Sequence, residues 1–144
     1  MRVWRLCRGP FADLSGEGAR LHGGRWNSRG RPAVYAARDA ALAVLEVRVH
    51  LDLDFDLLPE DYVLIGIDLP EDPAVPGGPR RFSRARGDSW LDGCAALALQ
   101  LPSVIVAESA NVIINPRHPA ITAAKIVGKR RFAFDPRLWS VGAP

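Results

Sequence analysis

Gly23-Gly24-Arg25-Trp26-Asn27-Ser28-Arg29-Gly30 is followed at short range by Pro32-Ala33-Val34-Tyr35-Ala36-Ala37, and then by an alanine-rich run carrying one acid, Glu46. Glycines allow the backbone to come close to a ligand, and the guanidinium of Arg25 offers a rigid five-donor fork matched to phosphate oxygens. Tyr35 supplies a ring that can stack on a base or nicotinamide, although a core tyrosine with a satisfied hydroxyl has the same signature. Glu46 lies on a helix face otherwise made of Ala, Leu and Val. An acid there needs a reason, either a salt bridge to Arg38 or Arg48 or the stabilisation of a sugar cation. Phosphate clamp, ring and lone carboxylate together point to cleavage or transfer at a nucleotide's glycosidic bond. The glycines do not form a Walker loop, since no Gly-Lys-Ser/Thr follows, nor a dinucleotide fingerprint.

These groups need a scaffold, and the hydrophobic pattern predicts one. Val3 to Leu6 reads as an opening strand, Gly9 to Gly30 as loop, and Ala33 to Tyr35 as a short strand. Asp39 is placed as the N-cap of a helix from Ala40 to Glu46 that can run on to His50. Strict alternation from Val47 to Leu57 argues instead for a half-buried strand. Tyr62 to Leu69 is a strong strand, and Pro70 to Gly87 a surface excursion rich in proline, glycine and arginine. A helix capped by Asp88 or Ser89 is expected to run to Leu101 and stop at Pro102. Strands are expected at Ser103 to Val106, Asn111 to Asn115 and Arg131 to Phe134, with a short helix between Pro119 and Val127. Strands and helices mix without a regular period, which predicts an α+β fold: a single compact domain over residues 1–144 with mixed β-sheets and flanking helices.

Bulk properties agree with an ordinary globular chain: 144 residues, 48% hydrophobic and 24% charged, fit one domain with a real core. The net charge of +3 is mild and is carried almost wholly by arginine, a preference that a high-GC genome also produces. Cys7 and Cys94 are too few and too far apart for a metal site or a disulfide scaffold. No charged leader with an apolar run and no membrane-length apolar stretch is present, which favours a cytoplasmic setting.

Other residues carry weaker signals. Ser103 could hold ribose or phosphate, but no local His/Asp arrangement makes it a nucleophile. Asn111 and Asn115 flank a strand that ends in a proline turn, where amides often satisfy the backbone. His22, His50 and His118 are scattered and make no zinc site. Asp52, Asp54 and Asp56 read as a solvated strand face rather than a cation loop. The basic runs Arg80 to Arg86 and Lys129 to Arg131 could meet nucleic acid or an acidic partner, though the net charge does not demand it.

Taken together, the segments resemble the RES-domain family, named for an arginine, a glutamate and a serine. The matching positions are Arg25 in Gly-Gly-Arg-Trp-Asn, Glu46 in Ala-Leu-Ala-Val-Leu-Glu and Ser103 in Leu-Pro-Ser-Val-Ile-Val, with Tyr35 in Ala-Val-Tyr-Ala-Ala. Asp88-Ser89-Trp90-Leu91 and Asn115-Pro116-Arg117-His118-Pro119 also look like family signatures. Ala-Glu-Ser-Ala-Asn after Ser103 departs from the proline that many relatives carry before the acid. The resemblance implies a fold similar to ADP-ribosyltransferases and a toxin of a type II toxin–antitoxin pair. The substrate would be NAD, cleaved by hydrolysis or phosphorolysis, or used to ADP-ribosylate a protein. It implies catalytic roles for Arg25, Tyr35, Glu46 and Ser103, and NAD contacts from Arg25, Trp26, Asn27, Tyr35, Ser103 and Asn115, with no metal and no permanently bound cofactor. The expected partner is an Xre-like helix-turn-helix antitoxin, in a hetero-oligomer or with self-association, and neither direct nucleic-acid binding nor a membrane is expected. Two rivals remain: a basic toxin acting on RNA through Arg80 to Arg86, and a non-catalytic interaction domain.

Overall fold

The computed structural model describes residues 1–78 and 81–140. Six strands form one sheet in the order β4-β5-β2-β1-β3-β6, where β1 is Arg2–Arg8, β2 Val34–Ala37, β3 Tyr62–Asp68, β4 Ala98–Pro102, β5 Ala110–Ile114 and β6 Lys125–Arg131. Every neighbouring pair is antiparallel. Three α-helices accompany it: α1 Glu17–His22, α2 Ala40–His50 and α3 Arg84–Gly93. The expected α+β class holds, with the strands gathered into one antiparallel sheet.

One irregularity in the ladder shapes everything near the site. β1 pairs with β3 along its whole length, from Arg2↔Asp68 to Arg8↔Tyr62, but meets β2 only at Trp4↔Ala37. The sheet is therefore two ladders, β4-β5-β2 and β1-β3-β6, hinged at one residue pair. Side chains pack on both faces of the sheet, while the edge strand β6 stays exposed. On one side Val3, Val34, Ile65, Ile67, Val112 and Ile114 form a continuous core under Leu14 and Ile121. On the other, α2 lays Ala40, Val44, Val47 and Leu51 against Leu6 and Leu64, while Leu91 of α3 joins Trp26, Leu99, Leu101 and Ile113.

Several expected boundaries shift, each for a physical reason. The alternation from Val47 to Leu57 is not a strand: α2 continues to His50, and 51–57 is irregular apart from a 3-10 turn at Phe55–Leu57. Positions 40, 44, 47 and 51 carry the helical period onto the sheet, and that burial outweighs a period-two pattern whose apolar members Leu53, Phe55 and Leu57 stay exposed. The helix expected from Asp88 to Leu101 starts earlier, at Arg84, with Ser83 as the cap accepting from Arg86 N. It ends at Cys94, whose φ of 53° is left-handed, and Ala98–Pro102 is strand β4 rather than helix. A short apolar run such as Leu97 to Leu101 fits either structure by pattern; pairing with β5 decides it. Ser103 follows a strand instead of opening one, and 104–106 is an exposed turn. The last strand lies at Lys125–Arg131, before the expected Arg131 to Phe134; Phe134 packs on Tyr62 instead. The helix expected near Pro119 is a 3-10 turn at Pro119–Ala123.

α2 is held at its start by Asp39, whose carboxylate accepts from Leu42 N at 2.7 Å and from Ser109 Oγ at 2.9 Å. Asp39→Ala loses both bonds and is expected to lower stability by about 1 kcal/mol. Urea unfolding checks this, and an unchanged midpoint would show that the cap contributes nothing to seating α2.

Candidate active site

Where β1 and β2 part, a cavity of about 460 Å³ opens into the protein. Such a volume is typical of small-molecule sites. β1 contributes Arg5 and Cys7, β2 contributes Tyr35, the loop after α1 contributes Gly24, Arg25 and Trp26, and α2 contributes Glu46 and His50.

Glu46 is the chemical centre of this wall. Its Oε1 accepts from Ser103 Oγ at 2.9 Å and from Asn111 Nδ2 at 2.8 Å. Ser103 is itself fixed, because its Oγ accepts from the backbone N–H groups of Ile105 and Val106, each at 3.1 Å. With those N–H groups donating inward, the serine hydroxyl proton is directed at the carboxylate. No partner for Oε2 is found among the described residues, so one oxygen is held and the other is open to a ligand. Of the two salt bridges expected as an alternative, neither is made: Arg38 reaches Gln100, and Arg48 reaches Leu138 O and lies over Trp139.

The glycine loop is a tight turn. Gly24 N donates to Asn27 O at 2.9 Å, leaving Arg25 and Trp26 at the tip. A Cβ at position 24 would lie 2.6 Å from the Tyr35 hydroxyl, so only glycine lets the turn approach that ring. The Trp26 indole stacks on Tyr35 with centroids 5.8 Å apart, and the exposed Arg25 guanidinium lies 5.3 Å from the indole centre. A cation on the outer face of an aromatic stack at the cavity rim suits an anionic ligand.

Tyr35 is tied on both sides of its hydroxyl: it donates to Asn27 Oδ1 at 2.7 Å and accepts from Trp26 N at 2.9 Å. Burial pushes its pKa up to about 12, against the opposing pull of the Trp26 N–H and the Arg84 charge. The phenol therefore stays protonated at neutral pH and works as a fixed donor and an apolar wall. Asn27 is fully buried, and its amide donates to Ala19 O, Arg31 O and Ser28 O, which makes it the turn's internal post.

The structure thus brings Arg25, Trp26, Tyr35 and Glu46 to one cavity, with Ser103 directly behind Glu46. Asn115 is elsewhere: fully buried at the end of β5, it donates to Leu91 O and accepts from Arg117 N. His22 and His50 line the cavity, whereas His118 caps the turn after it by accepting from Ala120 N. Asp52, Asp54 and Asp56 are exposed. Of the basic runs, Arg80 lies outside the described residues, Arg84 and Arg86 donate to backbone carbonyls, and Lys129 to Arg131 lie on the exposed edge strand β6.

Two residues went unrecognised from sequence. Asn111, read there as a turn amide, is the second donor to Glu46. Arg5 lies on the cavity wall, and its Nη1 donates to Tyr35 O at 2.9 Å, bridging the ladders where backbone pairing has ended. Its Nε is buried without a partner among the described residues, so Arg5 is held in the wall through Nη1. The signal was available, since Val3, Arg5 and Cys7 share a strand face and a charge between two buried apolar residues needs the same explanation that Glu46 does.

Comparison with known proteins matches a RES domain model over residues 2–135. Among curated relatives, a "Toxin Res" of Pseudomonas putida is 41% identical, the match covering 88% of this chain and 92% of the relative. A "Prs ADP-ribosylating toxin" of a Sphingobium species is 38% identical, with 88% and 86% covered. In a crystal structure of the M. tuberculosis MbcT–MbcA toxin–antitoxin complex, one chain superposes with a TM-score of 0.72 at 21% identity, covering 95% of this chain and 85% of that one, which is a likeness of fold.

Tyr35 generates a pH dependence. Its pKa rises on folding from 10.0 to about 12, so in that window unfolded chains release a proton that the folded protein keeps. The resulting stability is fully present below pH 10 and is lost as pH rises through about 12. Urea unfolding across that range is expected to show a steeper decline for the wild type than for Tyr35→Phe; parallel curves would contradict a buried phenol.

Proposed function

As the chain belongs to the RES-domain family, we propose that it is the toxin of a bacterial type II toxin–antitoxin pair and breaks the bond between nicotinamide and ribose in NAD. The observation that carries this reading is the Glu46 carboxylate, held through Oε1 alone and facing a cavity that also contains Arg5 and Arg25. Three curated relatives are named toxins Res and a fourth an ADP-ribosylating toxin, and NAD is the substrate class that the latter chemistry requires.

In this reading the two arginines neutralise the diphosphate, Arg25 from the rim and Arg5 from the cavity wall. Trp26 and Tyr35 form a flat wall beside the nicotinamide ribose. Ser103 and Asn111 keep Glu46 aimed at the cavity. As the C1′–N bond breaks, its electron pair passes to the pyridinium nitrogen and nicotinamide leaves neutral. The leaving group therefore needs no proton. Positive charge grows on the ribose, and Glu46 Oε2 stabilises it through space. Water or inorganic phosphate then captures C1′ from the open side, and water releases its proton to the solvent at the open cavity mouth. The arrangement asks for one well-placed negative charge rather than an acid–base pair, which fits a site with a single carboxylate in its wall.

A second reading, transfer of ADP-ribose to a protein, is favoured by the name of the Sphingobium relative. It uses the same residues up to bond cleavage and differs only in what captures C1′. An Xre-like helix-turn-helix antitoxin would be the partner, consistent with a similar fold being found in a toxin–antitoxin complex.

Glu46→Gln keeps the shape and both hydrogen-bond partners while removing the charge. Its kcat for NAD is expected to fall by about 100-fold or more, with NAD affinity within about threefold of the wild type by calorimetry. A folded Glu46→Gln protein with wild-type kcat would exclude the assignment.

A further inference from the structure

Arg25 lies at the tip of a turn whose two feet are gripped from outside by one helix. Arg84 Nε donates to Gly24 O at 3.0 Å, on the first foot. Asp88 holds the second foot twice, Oδ1 accepting from Ser28 N at 2.7 Å and Oδ2 from Ser28 Oγ at 2.6 Å. Between them Gly87 is buried so close to the turn that a Cβ there would overlap the Trp26 carbonyl oxygen. Positions 84, 87 and 88 recur at the three- and four-residue spacing that places side chains on one helix face, so α3 presents a single surface shaped to the turn. The grip is reinforced at its base, where Arg31 Nε donates to Asp92 Oδ1 at 2.9 Å and Arg31 Nη1 lies 3.7 Å from Asp88 Oδ2.

Asp88 does not line the cavity, and it is sixty residues from Ser28 in the chain. Asn27 and Tyr35 secure the inner side of the turn, and the exposed guanidinium of Arg25 rests on the buried Trp26 ring, so its position follows that of the turn. A carboxylate accepting two hydrogen bonds from one residue sets that residue's position and orientation together. We propose that Asp88 is a positioning residue for the anion clamp: by holding Ser28 it sets where the turn offers Arg25 to the substrate diphosphate. The inference rests on the NAD reading for its ligand, and on the geometry alone for its mechanics.

The effect should fall on binding rather than on chemistry, because Arg25 contacts a part of the substrate whose charge does not change as the glycosidic bond breaks. In steady-state NAD turnover, Asp88→Ala is expected to raise KM by about tenfold while kcat stays within about twofold. Asp88→Asn should restore KM to near the wild-type value, since an amide can accept from Ser28 N and donate to Ser28 Oγ. Ser28→Ala, which removes one bond and leaves α3 untouched, should give a smaller rise and serves if Asp88→Ala does not fold. Hydrogen exchange of the 24–28 amides supplies a readout independent of substrate: faster exchange in Asp88→Ala, reversed in Asp88→Asn. A wild-type protein inert towards NAD would overturn the NAD reading, and the exchange result would still decide the clamp. Unchanged exchange, a defect confined to kcat, or Asp88→Asn as impaired as Asp88→Ala would overturn the proposal.

Discussion

A carboxylate brought partly out of water costs the fold stability unless hydrogen-bond donors meet it. Glu46 meets this constraint by drawing on three separate pieces of the chain. It stands on α2; its Oε1 receives Asn111 from β5 and Ser103 from the turn after β4. That turn is ordered around the same serine, through the N–H groups of Ile105 and Val106. The acid thus joins α2 to one of the two ladders. Asp39, at the start of the same helix, reaches Ser109 at the far end of that turn, so the helix is tied to it at two points.

The cavity exists because the sheet fails to close. β1 and β2 share a single residue pair, and beyond it a guanidinium stands where a backbone bond would be, with Arg5 donating to Tyr35 O. Regular pairing there would have filled the space with side chains. The gap instead leaves a cavity between the two ladders, and most residues that face it stand on strands and helices. The one loop that takes part, Gly24 to Asn27, is compensated by close contacts on both sides: the Tyr35–Asn27 pair within and α3 without.

Much of this was legible in the residues, and the exceptions follow a pattern. Asp39 as cap, the apolar strand from Tyr62 and the Asn111 strand each rest on local chemistry that tertiary context did not override. Two of the errors fell on Val47 to Leu57 and Leu97 to Leu101, where an apolar spacing fits two structures and only the surface it meets decides. For the candidate site, types and order singled out Arg25, Tyr35, Glu46 and Ser103, and the structure places the first three on one cavity with Ser103 bonded to Glu46. What they could not convey was pairing across the chain: that Asn111 is Glu46's second donor, that Arg5 faces the gap, or that Asn115 turns away from it. Asp88, expected as a helix cap, is in mid-helix because the helix begins four residues earlier, at Arg84.

In the proposed reaction a held carboxylate in a cationic cleft releases nicotinamide from NAD. Proton NMR of NAD incubated with the purified protein, in buffers with and without inorganic phosphate, addresses it directly. Free nicotinamide is expected to appear as the signals of NAD-bound nicotinamide decay in step, with the ribose product identifying what captured C1′. Intact NAD in both buffers, from folded protein free of any antitoxin, would contradict it.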